Sequence, residues 1–169
     1  MSLEVGSLRA LAHPVRLRML SLLTGAELSA TEVARELGIS QANASYHLRQ
    51  LLAAGELTVV TERRIRGGVA KIYRHQPDAR PRAGGGGPKR LFAQALADEL
   101  VRRSSLRRGE GRSTSTDAEL WVDLQVWEDT VVAAAELSKR LHAAAVPPGT
   151  EGTVRTSTTM ALFEMESDR

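Results

Sequence analysis

The chain has 169 residues, no cysteine and a net charge of +3. The missing cysteines exclude disulfides, zinc–thiolate fingers and thiol catalysis, and no apolar run approaches the ~20 residues of a membrane-spanning helix. Charge is unevenly spread: residues 1–75 carry ten Lys/Arg against six Asp/Glu, residues 76–116 nine against four, and residues 117–169 four against ten. A basic front and an acidic rear suit a protein that presents one side to phosphates.

Apolar content is ordinary, so one or two small domains with buried cores are expected. Glu4, Arg9 and His13 interrupt any signal-peptide pattern, which places the expected location in the cytoplasm. Leu3, Leu8 and Leu11 mark a first short helix. A second runs from Pro14 to Leu23, with Pro14 in the first turn, where its missing N–H costs nothing, and Gly25 as its stop. Arg16 and Arg18 near its start are either phosphate contacts or solvated surface. His13 reads as a titratable group, a ligand, or a local packing partner of the proline.

The stretch from Glu27 to Leu57 reads as two helices joined by a tight turn. Thr31 to Leu37 is the first, with Val33, Ala34 and Leu37 on its apolar side. Gly38 supplies the positive φ that a steep exit requires. Ser40 caps the second helix, 41–54, which carries Ala44, Leu48, Leu51 and Leu52 at a period near 3.6. This is a helix-turn-helix pattern, whose second helix enters the major groove of DNA. With Ala44 buried, Ala42, Ser45, Tyr46 and Arg49 point away from the core at 100° per residue. Small residues permit close approach to base edges, Arg pairs with guanine, and hydroxyls reach phosphate or base. Gln41 and Asn43 are residue types that pair with adenine.

After Gly55 the pattern changes to period two. Leu57 to Thr61 and Val69 to Tyr73 are β-formers joined across Gly67-Gly68, a hairpin spanning 57–75. Its basic residues, Arg63, Arg64, Arg66 and Lys71, make it a wing that lies along the backbone or minor groove.

The runs LRALAHPVRLRMLSLL and TEVARELGISQANASYHLRQLLAAGEL, followed by a hairpin ending in KIYRH, resemble the ArsR-type winged-helix transcriptional regulators over residues 1–75. That resemblance implies a homodimer repressing its own operon until an effector releases it, with Gln41 to Arg49 in the major groove. It also implies that helices at the start and after the wing form the dimer. The metal-sensing members use cysteines, of which there are none here, and His13, His47, His75 and His142 lack metal-ligand spacing. No metal and no cofactor are therefore expected.

PDARPRAGGGGP, from Pro77 to Pro88, reads as a linker. Lys89 to Ser105 is helical in spacing, with Arg102, Arg103, Arg107 and Arg108 suited to the negative end of its dipole or to phosphates. Residues 109–116 form a polar loop. Asp117 to Ala145 is expected to be the longest helix, capped by Asp117 and ended before Pro147-Pro148. Leu120, Leu124, Trp127, Val131 and Leu141 lie on a four-three seam that pairs two copies or packs on its own domain. Val154 to Met165 reads as a strand or two. Phe92, Trp121, Trp127 and Phe163 are either an effector pocket or core.

The expected fold is mainly α with a small β-hairpin wing: a winged helix-turn-helix over 1–76, a linker over 77–88, and a helical (α+β) dimerisation module over 89–169. The expected function is a sequence-specific, homodimeric transcriptional regulator, a repressor, whose partners are double-stranded DNA, a second copy and a small-molecule effector. A non-specific architectural DNA-binding protein is the alternative. An enzyme is not expected, since Gly84 to Gly87 neither follows a strand nor ends in Lys-Ser/Thr as a phosphate-binding loop does.

Overall fold

The computed structural model describes residues 11–65, 68–75 and 86–166. The expected first helix, Leu3 to Leu11, lies outside these except for its last residue. The described elements are, in order, α1 (Pro14–Gly25), β1 (Leu28–Ser29), α2 (Ala30–Leu37), α3 (Gln41–Ala53), β2 (Thr58–Ile65), β3 (Gly68–Arg74), α4 (Gly86–Ser104) and α5 (Leu124–Ala143).

Local chemistry sets each boundary in the first half. The imidazole Nδ1 of His13 accepts the Val15 N–H at 3.2 Å and so caps α1. Ser29 and Glu32 form a capping box on α2: Ser29 Oγ accepts the Glu32 N–H at 3.3 Å, and Glu32 Oε2 accepts the Ser29 N–H at 2.7 Å. Gly38, at φ 66°, ends α2 in the left-handed region, and the next amide, Ile39 N–H, donates back to the Ala34 carbonyl at 3.0 Å. Ser40 Oγ accepts the Asn43 N–H at 3.2 Å and starts α3 in a new direction.

β1, β3 and β2 make a three-stranded antiparallel sheet in that order. Val59 pairs with Tyr73 and Thr61 with Ile72, which leaves Val60 as an extra bulged residue. β1 pairs Leu28 with Tyr73 and Ser29 with Ile72. It is too short to show a period in the sequence, yet it ties the hairpin to the helix pair. Leu11, Met19, Leu20, Leu23, Val33, Ala34, Ala44, Leu48, Leu51, Leu57 and Tyr73 form the core. Phe92 of α4 packs on it, half-buried. The β3 end is held by the His75 N–H, which donates to the Leu23 carbonyl at 3.0 Å, and by its ring Nδ1, 2.6 Å from the Glu56 carbonyl.

The second half departs from the sequence expectations. α4 begins at Gly86, inside the expected linker, with Pro88 in the first turn, where a missing N–H is harmless. Residues 77–85 of that linker lie outside the described ones. The expected helix 117–145 is only Leu124–Ala143, because Asp123 rather than Asp117 caps it, accepting the Gln125 N–H at 2.8 Å. Leu120 and Trp121 therefore stand before the helix. Residues 154–165 form no strand with any described residue. No residue of α5 is buried. The loop after it touches α1, where the Val146 carbonyl oxygen lies 2.5 Å from the place a Cβ would take on Gly25. That close approach, rather than a positive φ, is what residue 25 provides. Among the described residues no helix is long and apolar enough to cross a membrane.

Candidate nucleic-acid interface

The capped turn at Gly38–Ser40 throws α3 across α2, and Ala44, His47, Leu48 and Leu51 anchor it in the core. The opposite side is open. Gln41, Ala42, Asn43, Tyr46 and Arg49 are exposed, and Ser45 is half-buried. Ser40 is also exposed, but its hydroxyl is already engaged as the cap. The Arg49 guanidinium lies back along its own helix, Nε donating to the Ser45 carbonyl at 3.2 Å. A base or phosphate acceptor would compete with that single neutral bond.

On the wing, Arg64 and Lys71 are exposed, Arg64 opposite Val69 and Lys71 opposite Glu62. Arg63 has a different role in this structure. Its Nη1 lies 3.4 Å from Glu32 Oε1, so it docks the wing onto the start of α2. Glu32 is held below the usual carboxylate range, chiefly by hydrogen bonds from the Ser29 side chain and backbone, with Arg63 contributing further. Arg66 lies outside the described residues. Arg74 is paired with Glu27 at 2.8 Å.

Of the two arginines left open on α1, Arg18 is structural: its Nη2 donates to the Leu37 carbonyl at 3.1 Å, satisfying the C-terminal end of α2. Arg16 sits near Tyr46 and both core-side histidines; burial lowers its pKa, while proximity to Tyr46 acts the other way.

Sequence reasoning did not foresee the histidine pair under α3. The His13 and His47 rings are 4.6 Å apart, and Tyr46 meets His47 edge-on at 5.2 Å. His47 Nδ1 is buried with no hydrogen-bond partner. Both imidazoles are pushed below their ordinary value of 6.5, first by burial; Arg16 adds to this at both, and His13 at His47. The signal was faint: an imidazole at position 47 falls one step from Leu48 on the inner face, where its polarity masks its burial.

The basic residues at the end of α4 divide similarly. Arg102 and Arg103 close on Glu99, which is buried, at 2.8 Å and 3.2 Å, whereas Arg107 and Arg108 are exposed. Of the expected dimer seam, Leu120, Leu124 and Leu141 are exposed, while Trp127 and Val131 are half-buried. Trp127 Nε1 donates to Glu164 Oε1 at 3.1 Å. Of the four aromatic residues considered as a pocket or core, Phe92 is half-buried on the winged-helix core, Trp121 and Phe163 are exposed, and Trp127 lies on α5.

Residues 11–60, under a third of the chain, match the family model of a helix-turn-helix domain. No curated protein matches the chain. The matched segment covers α1 through the start of β2, and the three-stranded antiparallel sheet completes a winged helix-turn-helix.

Proposed function

We propose that the protein is a cytoplasmic, sequence-specific transcriptional regulator of the ArsR type, acting as a homodimeric repressor and not as an enzyme. α3 enters the major groove, with Gln41, Ala42, Asn43, Tyr46 and Arg49 toward the bases. Ser40 and Ser45 stand at its edge, and Arg64, Arg66 and Lys71 of the wing meet the backbone or minor groove. The module that follows the wing pairs two copies and admits a small-molecule effector. The observation that carries this reading is the two-sidedness of α3: anchored by Ala44, Leu48 and Leu51, it leaves a small, polar and cationic face bare beside an exposed basic hairpin.

The test is selection of bound genomic fragments by the purified protein at two salt concentrations. An inverted repeat that survives the higher salt is expected, since base contacts persist when counterion release is suppressed. Fragments without a common motif, lost as salt rises, would establish the architectural reading in its place.

A further inference from the structure

The two flanks of α5 are its most unusual feature. Neither helix, turn nor bend interrupts residues 112–123 or 153–166, so both run extended. Within the chain, no backbone N–H or C=O of residues 112–122 or 154–166 has a hydrogen-bond partner among the described residues. Their composition is that of strands: Leu120, Trp121 and Val122 in one, and Val154, Thr156, Thr158, Met160, Leu162 and Phe163 in the other. The second flank is fixed alongside α5 by the bond from Trp127 to Glu164. The arrangement is thus extended segment, helix, extended segment, with both ladders unmade.

We propose that these two segments are the strands of a sheet completed only by a second copy of this chain, so that the dimer is joined by backbone pairing as well as by the α5 seam. This rests on the homodimeric reading above and specifies how its interface is built. Two observations favour a second copy. The uncovered apolar side chains are spread over both flanks and the helix between them, with Trp121 at 89% and Phe163 at 69% exposure. No residue from 112 to 166 is buried, and a surface of that extent calls for a partner of matching extent. Finally, a two-fold partner brings the same unpaired edges and the same apolar side chains, so every deficit in one copy meets its equivalent in the other.

The experiment combines analytical ultracentrifugation with amide hydrogen exchange on the full chain, in the wild type and in two variants, Thr158→Pro and Thr159→Pro. Neither amide makes a backbone bond among the described residues, so proline there removes no backbone hydrogen bond from the single copy. Because successive amides point to opposite edges of a strand, at least one variant must lose a ladder bond. The expected result is a wild-type dimer whose 113–122 and 154–163 amides exchange at least about a hundredfold slower than a free chain, with at least a tenfold weaker association in one or both variants. A dimer with freely exchanging flanks and unchanged association in both variants would overturn the strand pairing and leave the homodimeric reading standing. A wild-type monomer at micromolar concentration would overturn both, as would association of these segments only with a different protein.

Discussion

The winged helix-turn-helix and the module after it use apolar residues in opposite ways. Among the described residues from 11 to 75, Met19, Leu23, Val33, Leu48 and Leu51 are sealed into one core, and the start of each helix is closed by a local cap. In residues 112–166, side chains of similar apolarity line a helix and two extended flanks with almost none sealed away. The first region buries one core of its own, with His47 Nδ1 left as a buried atom without a hydrogen-bond partner. The second leaves its apolar side chains and the backbone groups of its flanks open.

The sharpest way to break this contrast is to cut into the sealed core. Leu48→Ala should lower the unfolding free energy of the winged helix by about 2–5 kcal/mol, read from urea denaturation. Its midpoint should fall equally at low and high protein concentration if that core is self-contained. Trp127→Ala acts in the other region. Loss of an interface aromatic should weaken association by about 2 kcal/mol, measured by ultracentrifugation, and an unchanged dissociation constant would remove α5 from the interface.

Arg49→Ala probes the outer face of the sealed half. It should cost about 1–3 kcal/mol in binding to the selected site and much less on random DNA. Equal losses in titrations on both would reduce Arg49 to a phosphate contact. Ser29→Ala removes the α2 cap and should destabilise the winged helix by about 1 kcal/mol, read from thermal melts, with little change in association.

The smallest effect is the pH response of the histidine pair. His13 and His47 have native pKa values below 6.5, so the unfolded chain binds more protons as pH falls through 6.5. The stability they support is complete above that value and is lost on acidification toward the lowered native values. His47→Leu, which also removes the unpaired Nδ1, should flatten the stability–pH curve in this window; an identical curve would show that His47 does not contribute.

The first half was largely legible because its signals are local. Gly38, Ser40 and the 3.6-residue spacing of Ala44, Leu48 and Leu51 each act within a few residues, and they placed α2 and α3 closely. What escaped were contacts made at a distance. The pairing of β1 with β3, the tilted ring contact of His13 with His47 and the bridge from Arg63 to Glu32 join residues that no short window contains. In the second half the four-three spacing continued back to Leu120 and suggested a helix there, but Asp123 takes the cap, and Leu120, Trp121 and Val122, strand formers in part, stand before the helix. The strand character of Val154 to Met165 was readable, yet no described strand stands beside it to turn propensity into a ladder.

Glu32 has a consequence beyond capping. One carboxylate receives the Ser29 amide and hydroxyl on one oxygen and the Arg63 guanidinium on the other. The start of α2 and the tilt of the wing are therefore clasped by the same charge. A proton added there, in the acidic range below its ordinary value of 4.5, would loosen both at once. The start of the helix pair and the basic hairpin are thus geared together, and neither can be re-aimed without disturbing the other.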